Sequence, residues 1–263
     1  MSGRHEVTST TRQSEAVIER TERPAEALSV TPSEAATIFS VPLLLLAVHF
    51  LVQPFVDAWA RFGYVRYEVA RTAPAGRIAP EPFTDHAWWW HELTRLTHAL
   101  IHDPSGFHTH AIGNAVLIGV AAWALLTLLS ALGQRRWFVF VYWEVAVVAP
   151  VVGSFSFDLF GETPHGYGAS TVGYAFLGIV LMTGCIVLAG HVRAWIDDRG
   201  SMRPLRADGG EALSPVVVAC LLVVVGGIVL VDLVSGSPAT VVHQAGVGFG
   251  ALVGAAVPIV GRW

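Results

Sequence analysis

Residues 169–190 read ASTVGYAFLGIVLMTGCIVLAG, 22 residues without one charged side chain. A helix rises 1.5 Å per residue, so about 20 mostly apolar residues cross the hydrocarbon core of a bilayer. This stretch has that length and composition. Five more runs share its character: 36–56, about 110–132, about 137–153, about 213–235 and about 240–260. Six such runs predict an all-α fold, a polytopic membrane bundle of six transmembrane helices. The run at 137–153 is the shortest and carries Glu144. A tight polar turn, Gly133-Gln134-Arg135-Arg136, joins it to the run before.

Composition agrees. Hydrophobic residues make up 53% and charged residues only 14%, and the mean hydropathy is +0.56. Those values lie beyond soluble-protein usage. A net charge of −4 gives no electrostatic footprint for a nucleic-acid partner. All 16 basic residues are arginine, a usage that suits a GC-rich genome. Cys185 and Cys220 lie inside apolar runs and read as small buried hydrophobes rather than a disulfide framework.

Residues 1–35 are rich in Thr, Ser, Glu and Arg and are expected to form a disordered cytoplasmic tail. The tail is too long and too charged for a signal-peptide n-region, so the first apolar run should remain as an anchor. Residues 36–263 then form the membrane domain. Orientation follows from arginine placement. With the N-terminus inside, eleven arginines fall on the cytoplasmic side, among them Arg135, Arg136, Arg193 and Arg262. The other five, Arg61, Arg66, Arg71, Arg77 and Arg95, all fall in the first outer loop, about 57–109. That loop also carries Trp59, Phe62, Tyr64, Tyr67, Phe83, Trp88, Trp89, Trp90 and Phe107. Such aromatic density favours the membrane interface and predicts short interfacial helices, with a small extracellular subdomain as the alternative. The location expected is the cell membrane, in contact with lipid.

Three polar constellations open the second, fourth and sixth runs, which start on the same side of the membrane. In the second run His110 and Asn114 are four residues apart and share a helical face. Both can donate hydrogen bonds to a developing oxyanion, although His and Asn at a helix start also serve as caps. In the fourth run Gly166-Tyr-Gly168-Ala-Ser170-Thr-Val-Gly-Tyr174 puts a serine among the free N–H groups of a helix N-terminus. That is a place for an activated hydroxyl, and equally a place for a simple cap. In the sixth run His243 precedes Gly246, Gly250 and Gly254, which recur every four residues as one bare stripe. Such stripes let membrane helices touch closely, so a base on that face can reach a serine on its neighbour. Ordinary helix packing is the competing reading of the stripe. One serine, one neutral base and a ready oxyanion hole at one depth form the minimum set for acyl transfer. No acidic residue stands three or four residues from His243. Asp232 is the only one nearby, and the pattern does not require a triad.

In these motifs the chain resembles the rhomboid family. The resemblance implies a six-helix intramembrane serine endopeptidase with a Ser–His dyad, Ser170 and His243. The family's GxSG is matched by Gly168-Ala-Ser170, with Thr171 in place of the last glycine. Tyr174 matches an aromatic that stacks on the catalytic histidine, and Gly178 matches a glycine eight residues after the serine. His110 and Asn114 match the pair linked to the oxyanion hole. His243, Gly246 and Gly250 match the sixth-helix His-x-x-Gly-x-x-x-Gly. The segment Glu92–His102 looks like the end of the family's first loop, with its Trp-Arg pair reduced to Thr94-Arg95. The acidic residue many members carry late in the second helix is absent. The resemblance covers about 90–260. It implies transmembrane segments of other membrane proteins as substrates, and it needs no cofactor and no metal. A rhomboid-like protein that binds transmembrane helices without cutting them is the alternative, favoured only by Thr171. A metal-dependent enzyme or transporter is a further one. His86, His91, His98, His102, His108 and His110 cluster in sequence, but Arg95 stands where an HExxH would place its second histidine. His49 and His191 have no evident partner and read as structural.

Overall fold

The computed structural model describes residues 29–55, 63–65, 87–102, 108–161, 165–166, 168–197, 213–237 and 239–260. The tail expected over 1–35 falls outside the described residues as far as 28, as do Trp59, Phe62, Tyr67, Phe83, His86 and Phe107 of the first loop. The unit Thr31–Trp263 carries the membrane helices.

Six helices are long and apolar enough to cross a membrane, and the protein is a multi-pass α-helical bundle. They are α1 (Pro32–Ala47, prolonged by a π turn at Val48–Val52), α3 (Thr109–Ala131), α4 (Phe138–Phe160), α5 (Ser170–Asp197), α6 (Pro215–Ser235) and α7 (Thr240–Val260). A shorter helix, α2 (Ala87–Thr97), lies in the first connection and ends in a 3-10 turn, His98–Leu100. The expected interfacial loop thus supplies one described helix. Two residue pairs form a ladder, β1 (Tyr64–Val65) antiparallel to β2 (His165–Gly166).

Three helix boundaries differ from expectation, one of them the far end of α5, which runs through His191 to Asp197 rather than stopping at residue 190. The first helix starts at Pro32, inside the stretch read as tail. Thr31 and Glu34 form a reciprocal capping box, with Thr31 N–H donating to Glu34 at 2.8 Å and Glu34 N–H donating to Thr31 Oγ1 at 3.3 Å. Capping satisfies helix-start donors with polar side chains, so a polar first turn belongs to the helix. Glu34 also takes a two-pronged bond from Arg135, Nε and Nη2 each at 2.6 Å. This ties the start of α1 to the α3–α4 turn, at the end of the bundle far from Ser170. Helix α4, the third membrane span, runs to Phe160, seven residues beyond the end of its apolar run at Gly153. Its polar last turns are satisfied locally, with Ser154 donating to Val151 O and Ser156 to Val152 O. Asp158 is paired with Arg95.

Proline in a membrane helix frees a carbonyl four residues back, and something must satisfy it. Pro42 does this in α1. The hydroxyl of Tyr142 on α4 donates to Ile38 O at 3.4 Å and accepts from Val41 N–H at 3.3 Å. Tyr142 is fully buried against Phe176 of α5.

The most enclosed helix is α5, which packs against α3, α4, α6 and α7. Its Ala175, Phe176, Ile179 and Val180 are fully buried. The least enclosed is α6, whose Val223, Val231 and Val234 point outward. Cys185 and Cys220 are free and exposed, not buried as their apolar setting suggested. In a bilayer an apolar residue can face lipid as readily as core.

The first connection is held at the end of the bundle where α5 begins. Arg95 donates to Asp158 at 3.0 Å and to Ser154 at 3.2 Å, both on α4, and pairs with Glu92 on its own helix at 2.7 Å. Tyr64 donates to the same Asp158 at 2.6 Å, and the Arg95 guanidinium lies over its ring. Burial and the neighbouring carboxylate raise the Tyr64 phenol far above its usual range. Through β1 this anchored segment reaches His165-Gly166, just before Ser170.

Candidate active site

The entry to α5 is built around glycine. Gly168 has φ +100, a conformation that L side chains rarely adopt, and a Cβ there would press on His110 at 3.4 Å. Its N–H donates to His98 O at 2.9 Å, which fixes the turn against the segment after α2. Ser170 then opens the helix, half-buried. Among the described residues its Oγ makes no hydrogen bond to His243.

What brings His243 to that level is the contact between α5 and α7. A Cβ on Gly246 would stand 2.7 Å from Thr171 O, one on Gly250 would strike Ala175 O, and one on Gly254 would stand 3.1 Å from Ile179 O. On the other side a Cβ on Gly178 would strike Val247 O. The two helices therefore run parallel with their backbones touching, as bare stripes permit. Gly246 faces Thr171, and His243 stands about one turn earlier, level with the start of α5. Tyr174, one turn after Ser170, stacks its ring on His243, with centroids 4.2 Å apart and planes within 5°.

His243 Nδ1 lies 2.7 Å from Asp232 Oδ1 on α6. The other carboxylate oxygen accepts from Gln244 Nε2 at 3.1 Å. Sequence spacing alone left this partner open, because the pair is joined across the α6–α7 turn rather than along a helix.

The structure places His110 and Asn114 differently. His110 is exposed beside Gly168. Asn114 is buried, and its Nδ2 donates to His102 Nε2 at 3.2 Å. The Ala169 N–H points at the same nitrogen, at 3.5 Å. Both neighbours are donors, so His102 Nε2 is the acceptor and its proton sits on Nδ1. Burial holds His102 neutral, with its pKa down to about 4, and does the same to His98. His102 thus links the Asn114 amide to the turn before Ser170. No motif at the start of α3 pointed to it, since it stands twelve residues before Asn114 in another element.

His49 has a partner after all. Its Nε2 lies 2.8 Å from His108 Nδ1, and its Nδ1 lies 3.1 Å from Gln53 Oε1. Gln53 in turn donates to His102 O at 2.7 Å and accepts from His102 N–H at 3.3 Å. The end of α1 therefore clamps the His102 backbone. Thr171, the residue that departs from the glycine pattern, is buried against α4, where Gly153 leaves room for it. Among the described residues no three His, Cys, Asp or Glu side chains are disposed to hold a metal ion.

No protein-family model matches the chain, and comparison with curated proteins found no match.

Chemically, the site sets a hydroxyl at a helix N-terminus level with a stacked imidazole, behind a glycine turn of positive φ. Free N–H groups and the dipole at that terminus favour negative charge, as an oxyanion would carry.

Proposed function

We propose that this protein is a rhomboid-type intramembrane serine endopeptidase that cuts transmembrane segments of other membrane proteins. The observation that carries the reading is the parallel, glycine-lined contact of α5 and α7, with Tyr174 stacked on His243 one turn from Ser170. In this reading His243 Nε2 takes the proton of Ser170 as Oγ attacks a peptide carbonyl. N–H groups at the start of α5, with His110, hold the oxyanion, and His102 sets the Asn114 amide beside them. His243 then protonates the leaving amine, and water hydrolyses the acyl-enzyme by the same path in reverse. The substrate helix has to unwind locally, because its own hydrogen bonds hide each peptide bond. Small or helix-breaking residues near the cleavage point lower that cost.

The arginine distribution supports an N-terminus in the cytoplasm of a cell-membrane protein, with the Ser170 end towards the outside. A second reading has one observation in its favour: Ser170 and His243 are not hydrogen-bonded in this state. A rhomboid-like protein that binds transmembrane helices without cutting them would need no such bond. Catalytic hydrogen bonds are often long before substrate arrives, so the gap fits the protease as well.

Labelling with a fluorophosphonate separates the two. The protease is expected to carry the label on Ser170 by peptide mapping, with labelling strongly reduced in His243→Ala. An intact protein that takes no label at Ser170 supports the binding protein instead.

A further inference from the structure

We propose that Asp232 is a positioning residue that makes the pair of Ser170 and His243 work as a triad. The inference rests on the protease reading above. Its basis is the 2.7 Å contact between His243 Nδ1 and Asp232 Oδ1. A carboxylate only accepts hydrogen bonds, so the shared proton sits on Nδ1. The lone pair is then on Nε2, the nitrogen turned away from Asp232. That tautomer is the one able to take a proton from a serine hydroxyl.

The orientation is fixed in two directions. Tyr174 stacks on the ring face and sets its plane. Asp232 holds one edge and sets the rotation within that plane. The carboxylate is itself held, since Oδ2 accepts from Gln244 Nε2. Its backbone is held too, because Asp232 O accepts from Ser235 Oγ at 2.7 Å and from Thr240 Oγ1 at 3.1 Å. Gly236, at φ +61, ends α6 and lets the chain turn into α7. The turn between two helices thus places an acid from one on the base of the other. The Asp232 side chain is 8% exposed and that of His243 13%. Water competes little for this bond, and charge-assisted bonds so placed are strong.

Asp232 exchanges no proton in the cycle. When His243 Nε2 accepts the Ser170 proton, the imidazolium gains the neighbouring negative charge. When Nε2 passes that proton to the leaving amine, the starting tautomer returns. A carboxylate that merely pinned α6 to α7 would show neither effect on turnover.

The test uses the full chain in detergent with a transmembrane-helix reporter, comparing intact protein with Asp232→Asn, Asp232→Glu and Ser170→Ala. Asp232→Asn is expected to lower kcat by about 100-fold while KM stays within about twofold. Asp232→Glu, which keeps the acceptor, is expected to recover part of the loss. Nitrogen-15 NMR of labelled histidine should show His243 as the Nδ1–H tautomer in the intact protein. Should Asp232→Asn fail to fold, Gln244→Leu frees Oδ2 without removing the charge and should still lower kcat. Unchanged kcat in Asp232→Asn or in Gln244→Leu, or an Nε2–H tautomer in the intact protein, overturns the inference and leaves the protease reading standing. An intact protein that cleaves no reporter removes both.

Discussion

Thr171 fills the space that Gly153 leaves open on the facing helix: a Cβ on Gly153 would stand 2.8 Å from both Oγ1 and Cγ2 of Thr171. The bulk next to the proposed nucleophile is therefore absorbed by α4, while the Thr171 carbonyl still lies against Gly246 on α7. Gly153→Ala should overpack this contact and cost about 1–3 kcal/mol. Thr171→Gly should relieve it, so the double variant should lose less than the sum of the single ones. Thermal unfolding in detergent measures all three. Additive losses would mean that the two residues do not compete for space.

The Tyr142 hydroxyl stands in for the N–H that Pro42 lacks, by donating to Ile38 O. Tyr142→Phe should leave that carbonyl unsatisfied in an apolar setting and cost about 1–3 kcal/mol. Pro42→Ala restores the helix donor, so Tyr142→Phe should be milder in that background. The same unfolding measurement checks it, and an equal loss in both backgrounds would refute the account.

Arg95 is the buried charge that joins α2 to α4 through Asp158 and Ser154. Arg95→Ala takes the guanidinium away from Asp158, to which Tyr64 still donates. Removing one partner of a buried ion pair costs about 3–5 kcal/mol. The expected result is a marked fall in melting temperature and, because β1 and β2 lead into Ser170, a fall in reporter cleavage.

His98 and His102 give stability a pH dependence of known sign. Burial lowers both from 6.5 to about 4, so the folded state keeps them neutral while the unfolded chain protonates first. Their contribution is complete above about pH 6.5 and declines as pH falls towards about 4, by up to about 3 kcal/mol each. Melting temperature in detergent should therefore drop across that window. His102→Gln should flatten the drop. A melting temperature that stays level from pH 7 to pH 4 would contradict it.

Much of this was legible in the sequence because membrane helices announce themselves by length and lack of charge. All six helices stand where the apolar runs are. The errors came at polar ends. Thr31-Pro-Ser-Glu34 is a capping box, yet its polarity read as tail, and the serines and Asp158 closing α4 read as the end of a helix. The glycine stripe after His243 was readable, since helical periodicity fixes shared faces, whereas His110 and Asn114, read together, part company, His110 exposed and Asn114 buried on His102. His102 was not readable as a site residue, and Asp232 was readable only as the one acidic residue near His243. Each reaches its partner across a turn or between separate elements, where no period connects them. The two cysteines misled for a different reason, because an apolar sequence does not say whether a face meets protein or lipid.

The most direct measurement is cleavage of a transmembrane-helix reporter by the purified protein in detergent, beside Ser170→Ala and His243→Ala. Cleavage by the intact protein and its loss in both variants are expected. Cleavage that survives in either variant would remove that residue from the mechanism, and no cleavage by the intact protein across several reporters and salt concentrations would contradict the protease reading itself.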